Sequence, residues 1–448
     1  WLGKKVYFLS DRDKIVNIYS YDTETKKIDK LTNYKDYDVR TLTGYGTELT
    51  FEQEGRLHIL DTKNQKVNKL SIHVQADALY RRPHYIDMGK EIRSFTISPT
   101  GQRALFENRG EIFSVPKEKG DARNLSASPE SHERFPAWSP NGKWISFISD
   151  KNGKYELVLR DQMAKDKPLH ISLGETFFYF QPTWSPDSKK LFYNDAHLNL
   201  YYLDVETKKV TLVDNDRQAS ITGRTSNHFQ PSWSFDSNWI AYVKSLGNGV
   251  RTLFLYNLKT KQQAQVTDGM SAVSQPTFSR DGKYLFFSAS TNTGLTNSGL
   301  HMTAYEKNVS FNVYAFILAK KTPSIFKNES DEEKVVEDTQ DTTKKRNDKK
   351  EDNNKNNRKS SETKSDETII DLDDIPSRIV ALPLQPGYYS LDGTAENKLI
   401  YMRGRTIGVY DLLKLESKDL VENAFGFEIS ADGKKMMYKS DRDFFIVD

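Results

Sequence analysis

The sequence predicts an all-β chain whose main body is a seven-bladed β-propeller of WD40-like repeats, preceded by the last two blades of another propeller. Three observations carry this. A short apolar strand, a serine-centred turn and a second apolar strand recur with anchor serines 41 to 49 residues apart in the five clearest consecutive copies. Each copy is followed by a third strand and, with one exception, a fourth, and a period near 45 residues with four short strands is the signature of a propeller blade. The 448 residues contain no cysteine, so blade packing and turn chemistry must hold the fold without disulfides.

In chain order, residues 1 to about 85 carry two units without the serine turn, VYFLSDRDKIVNIYSYDTETKKIDKLT and TLTGYGTELTFEQEGRLHILDTKNQKVNKLS, whose third strands end at Asp22 and Asp61. Two blades cannot close a ring. With no initiator Met and no signal-peptide pattern at Trp1, they read as the end of a propeller that began earlier in a longer protein. From about 86 to 448 come FTISPTGQRALF, PAWSPNGKWISFIS, PTWSPDSKKLFY, PSWSFDSNWIAYV and PTFSRDGKYLFFS, anchored on Ser98, Ser139, Ser185, Ser234 and Ser279. YSLDGTAENKLIYM at Ser390 and FEISADGKKMMYKSD at Ser430 bring the anchors to seven, and the last unit stops at its third strand. Proline after serine fixes φ, and Asp-Gly or Asn-Gly supplies the positive φ of a tight hairpin.

The insert from 328 to 368 interrupts this pattern. Of its 41 residues, 23 are Asp, Glu, Lys or Arg, so it is expected to be a disordered loop that cannot bury enough surface to offset chain ordering. Over the whole chain the charge is near balance. The chain carries 65 basic and 62 acidic residues, a net +3, with 36% hydrophobic residues and a mean hydropathy of −0.71. No run of about 18 apolar residues occurs, and the lysines are spread over turns, so neither a membrane nor a nucleic-acid partner is expected.

A search for catalytic chemistry returns little. The sequence lacks a Gly-x-Ser-x-Gly elbow, a phosphate-binding glycine loop and His-Glu-x-x-His, and its eight histidines include no i,i+3 or i,i+4 pair. No cofactor and no metal site is expected. His132-Glu133-Arg134 is the most tempting cluster, with a structural hydrogen-bonding role as the simpler reading. The repeated serines serve turns, and Trp138, Trp184 and Trp233, with Phe278 as the fourth copy, belong to the packing between blades. The positions entering the innermost strands face the mouth of an axial channel: Arg93, Arg134, Gln181, Gln230 and Gln275. These five are the candidate substrate-channel residues, and no catalytic residue is assigned.

The stretch RPHYIDMGKEIRSFTISPTGQRALFENRGEIFSVPKEKGDARNLSASPESHERFPAWSPNGKWISFISD resembles the start of the second propeller of tricorn protease homologues. QPTWSPDSKKLFYNDAHLNLYYLDVET, QVTDGMSAVSQPTFSRDGKYLFFSASTNTG and DLDDIPSRIVALPL are similar to that family as well. The resemblance implies a cytoplasmic serine peptidase with a six-bladed propeller, a seven-bladed propeller, a PDZ domain and a catalytic region; an exported location is the alternative. Peptides would be channelled through the propeller, the catalytic residues would lie beyond Asp448, and the intact protein would be a homo-oligomer. A TolB-like propeller that binds protein partners without feeding an active site is the rival reading.

Overall fold

A computed structural model describes residues 1–73, 75, 91–174, 179–217, 228–290, 310–326 and 367–448. The chain divides into two compact units, Trp1–Ile86 and Asp87–Asp448. The first holds two antiparallel sheets among its described residues: Lys5–Ser10, Asn17–Asp22 and Ile28–Lys30 form one, and Val39–Tyr45, Glu48–Gln53, Arg56–Asp61 and Val67–Lys69 the other. Ile18, Val39, Leu49, Phe51 and Leu60 are its buried core.

Among the described residues the second unit consists of seven antiparallel sheets, six of four strands and the last of three, each a meander in chain order. Their first strands are Ile92–Ile97, Arg134–Trp138, Tyr179–Trp184, Ser232–Trp233, Val273–Phe278, Tyr389–Ala395 and Ala424–Ile429. Each is an edge of its sheet and all seven contribute to the wall of one central cavity, the arrangement of propeller blades around an axis. We number the sheets blades 1 to 7.

The serine turn is built as its composition requires. In six blades the anchor hydroxyl, that of Ser98, Ser139, Ser185, Ser234, Ser279 or Ser430, accepts a hydrogen bond from the backbone N–H five residues on, at 2.8–2.9 Å. The same hydroxyls, Ser98 excepted, donate to the Asp or Asn two residues on, as Ser139 does to Asn141 Oδ1 (2.8 Å) and Ser279 to Asp281 Oδ1 (2.6 Å). A buried hydroxyl used twice has no role as a nucleophile. Blade 6 departs from expectation. There the hairpin turns at Glu396-Asn397, because Ala395 pairs with Lys398, and Asn397 takes the positive φ of 53°. Ser390 therefore sits at the start of the first strand, paired with Met402, its hydroxyl donating to Asp392 Oδ2 (2.5 Å), and is no anchor. YSLDG imitates the serine-turn sequence, but the apolar spacing of Leu399 and Tyr401 sets the register.

Third strands end in an Asx turn at Asp61, Asp204, Asn257 and Asp411, and Asp22 makes the same turn at the end of the second described strand of its three-stranded sheet. Each accepts a backbone N–H two or three residues on, at 2.8–3.0 Å, which accounts for the acidic or amide residue the repeat carries there.

The tryptophans join blades. Trp184 Nε1 donates to Ser146 Oγ of blade 2 (3.0 Å), and Trp233 Nε1 donates to the Thr183 carbonyl of blade 3 (3.2 Å) while its ring stacks on Phe192 at 5.4 Å. Blade 7 closes on blade 1. Thr96 Oγ1 donates to Glu428 Oε1 (2.7 Å), Asp432 N donates to the Pro99 carbonyl (3.1 Å), and Phe444 packs edge-on against Phe95 and Phe106. The charged insert expected at 328–368 lies outside the described residues apart from Glu367 and Thr368; the Thr368 N–H donates to Asp236 Oδ2 (3.0 Å).

The two serine classes give a direct comparison. Ser234→Ala removes the acceptor for Trp239 N (2.9 Å) and is expected to lower stability by about 1 kcal/mol. Ser390→Ala should stay within about 0.5 kcal/mol of the parent in urea unfolding; equal losses at both sites would contradict the register assigned to blade 6.

Candidate functional site

The axial cavity has a volume of about 1070 Å³. Its wall carries a bulge in each first strand long enough to hold one, as in blade 2 between Arg134 and Ala137 and blade 5 between Ser274 and Thr277. At the bulge in blades 2, 3 and 5, and just before the short first strand of blade 4, four residues directly before proline take positive φ: Phe135 (56°), Gln181 (33°), Gln230 (44°) and Gln275 (56°). A residue before proline prefers extended backbone, so each of these costs on the order of 1–3 kcal/mol. Pro136, Pro182, Pro231 and Pro276 follow and remove one N–H per strand from the inner edge.

Of the five channel residues expected from sequence, the structure brings three together. Gln181, Gln230 and Gln275 line the cavity at equivalent positions, four residues before their anchors. Gln230 is already committed in part, since its Oε1 accepts the Gln275 N–H (2.9 Å) and bridges blades 4 and 5. Arg93 and Arg134 stand five residues before Ser98 and Ser139, one place out of step, and are not part of the cavity wall. Ser94 and Phe135 occupy the equivalent wall positions instead. Arg134 donates to His132 Nδ1 from Nη2 (2.8 Å) and Nε (3.1 Å), and Arg93 lines a separate depression with His132. Glu133 accepts hydroxyl hydrogen bonds from Ser128 (2.6 Å), Ser131 (2.7 Å) and Ser149 (3.2 Å), so the middle residue of this cluster is a structural hub.

Three wall residues, Glu428, Asp392 and Arg280, were not singled out from sequence. Glu428 stands two residues before its anchor, where the other serine-turn copies carry Thr96, Ala137, Thr183, Ser232 and Thr277. It accepts from Thr96 Oγ1 (2.7 Å) and Ile97 N (3.2 Å) across the closing seam. Enclosure by the ring pushes its pKa up to about 7, with the nearby Asp392 adding to the rise. Asp392 reaches into the cavity and its carboxyl is also raised by enclosure, against the hydrogen bond from Ser390. Arg280 stands one residue after its anchor, where the preceding copies have Pro99, Pro140, Pro186 and Phe235. Its guanidinium donates to the carbonyls of Thr394 (2.7 Å), Ala431 (2.8 Å) and Ser430 (3.0 Å) and lies 5.1 Å over the Phe235 ring. It thereby spans the space that the short turn of blade 6 leaves open. Glu428 and Arg280 are each the odd member of their column when the copies are aligned, and that is the signal that finds them.

No group of three or more metal-ligating side chains occurs among the described residues.

Residues 92–448 match the family model described as the tricorn protease second beta propeller domain. The chain belongs to this family. A tricorn protease homolog of Saccharolobus solfataricus is 21% identical over 97% of this chain and 37% of its own length. Tricorn protease homolog 1 of Streptomyces coelicolor is 21% identical over 98% of this chain and 41% of its own length. The crystal structure of the tricorn protease covers the whole chain at a TM-score of 0.59 and 19% identity, with 41% of that chain covered. The chain thus spans less than half the length of these relatives. The tricorn propeller fold is shared, and the second unit is the part that the family describes.

Glu428 makes ring stability depend on pH. A carboxyl at about 4.5 when unfolded and about 7 when folded binds its proton more tightly in the folded state. The resulting stabilisation is full below pH 4.5 and is lost as pH rises through 7. Solvent in the cavity still reaches part of the side chain, which keeps the effect to about 2 kcal/mol. Urea midpoints should fall between pH 5 and 7 in the parent and change less in Glu428→Gln, whose amide can both donate to Thr96 and accept from Ile97; an unchanged slope in the variant would contradict this.

Proposed function

We propose that the tricorn-type ring passes extended peptide along its axis toward a peptidase active site carried elsewhere in the whole protein. The observation that carries this reading is the cavity wall: seven first strands, each an unpaired sheet edge, around about 1070 Å³. An extended peptide is recognised by hydrogen bonds to such edges. The four prolines and six bulges interrupt those edges, so a peptide can bond locally while continuous strand addition is prevented. A passage needs that weakness. The family relationship supplies the peptidase context, and the two sheets of the first unit are read as blades of a neighbouring six-bladed ring. Hydrolysis and ring-shaped homo-oligomers belong to the same proposal for the whole protein.

Because the chain has no cysteine, one introduced thiol reports alone. In Gln275→Cys, a saturating extended peptide of about 12 residues is expected to slow maleimide labelling several-fold. Leu413→Cys, at an outer position 75% exposed, should label at the same rate with or without peptide. Equal labelling of Gln275→Cys in both conditions would remove the cavity as a peptide path.

A further inference from the structure

On the face where the first strands enter, a second depression of about 350 Å³ lies at the seam of blades 1 and 2, lined by Glu91, Arg93, Arg109, Ser131 and His132. Arg93 and Arg109 are exposed and have no carboxylate partner among the described residues. His132 is held in one orientation. Its backbone N–H donates to Asp150 Oδ1 (2.7 Å) and its Nδ1 accepts from Arg134, so the ring proton sits on Nε2. Burial first, then Arg134, lowers the imidazole pKa and keeps the ring neutral, with Arg93 adding to this and Glu107 and Asp150 opposing it. Gly110 makes the seat. At φ +81° it lacks the Cβ that would stand 2.4 Å from His132 Cδ2. Ser131 Oγ is spent on Glu133, leaving two guanidiniums and one imidazole N–H as the donors, with Glu91 as an acceptor on the rim.

We propose that this depression is an oxyanion pocket for a carboxylate or phosphate, bound by Arg93, Arg109 and the Nε2–H of His132, with Arg134 as the positioning residue for the imidazole. Paired guanidiniums give strong, directional hydrogen bonds to such groups. Glu91 beside them suits a carboxylate that is followed by a donor N–H, which a peptide C-terminus presents. That identification of the source rests on the reading of the ring as a peptide path; the pocket itself does not.

The test uses the full chain and a labelled peptide with either a free C-terminal carboxylate or a C-terminal amide, followed by anisotropy, with inorganic phosphate as the second probe. The free acid is expected to bind about tenfold tighter than the amide. Arg109→Gln or Arg93→Gln should remove most of that difference without lowering the melting temperature, since neither guanidinium holds the fold together. In Arg134→Gln one cause of the lowered imidazole pKa is gone while burial remains, so that pKa should rise toward its ordinary value and acid binding should strengthen more steeply with falling pH than in the parent; a merely structural role would not create that profile. Equal acid and amide affinities with phosphate binding lost in Arg109→Gln would support the pocket with free phosphate as its source. Equal affinities with no phosphate binding would overturn it, and Gln275→Cys protection in the same samples would show that the peptide path survives that failure.

Discussion

Thr96 and Glu428 stand 332 positions apart in the chain and 2.7 Å apart across the seam of the ring. Every other blade face in the second unit depends on that closure. A propeller sheet has two apolar faces and is covered only by its neighbours, so an open seam would expose Ile97, Ala104 and Met437 together with Phe95, Phe106 and Phe444 to water. Closure uses a carboxylate where the other columns use a hydroxyl or a methyl, and enclosing that carboxylate couples the ring to pH. The same residue is therefore a hinge pin for the fold and part of the wall of its cavity.

The wall is shaped by departures from regular strand geometry. Four residues before proline are held at positive φ and four inner edges lack an N–H, which a packed sheet would not retain without a use for the resulting surface. The turn side is treated differently. Blade 6 turns in two residues, and Arg280 reaches from blade 5 to the backbones of blades 6 and 7 to cover the gap. Its cation meets three carbonyls and the Phe235 face, so the charge stabilises the rim through dipoles, and its field also helps to hold the Asp432 carboxyl below its ordinary value.

Much of this was legible in the residues. The serine turns, the Asx turns and the tryptophan column are local chemistry with a fixed spacing, and a repeat displays them several times. Ser390 shows where that reading fails: a serine followed by Asp-Gly resembles the turn, yet the apolar alternation around Leu399 and Tyr401 fixes a different register. The one-residue offset of Arg134 from the glutamines has a different origin: Arg134, Phe180 and Ser274 open the same bulge five residues before their anchors, and the prolines after Phe135, Gln181 and Gln275 already mark the matching positions in the sequence.

By itself the sequence determined the all-β class, the repeating blade, the anchor serines and the family resemblance, because each rests on contacts between residues a few positions apart. Only the tertiary structure decided which blade closes on which, that Gln230 is spent on its neighbour, that Glu428 and Asp392 share the cavity, and that Arg93, Arg109 and His132 meet at one pocket. Those are contacts between blades. The period of the repeat fixes the distance along the chain but not the partner across the gap, and a side chain's charge acquires a function only once the ring has set what surrounds it.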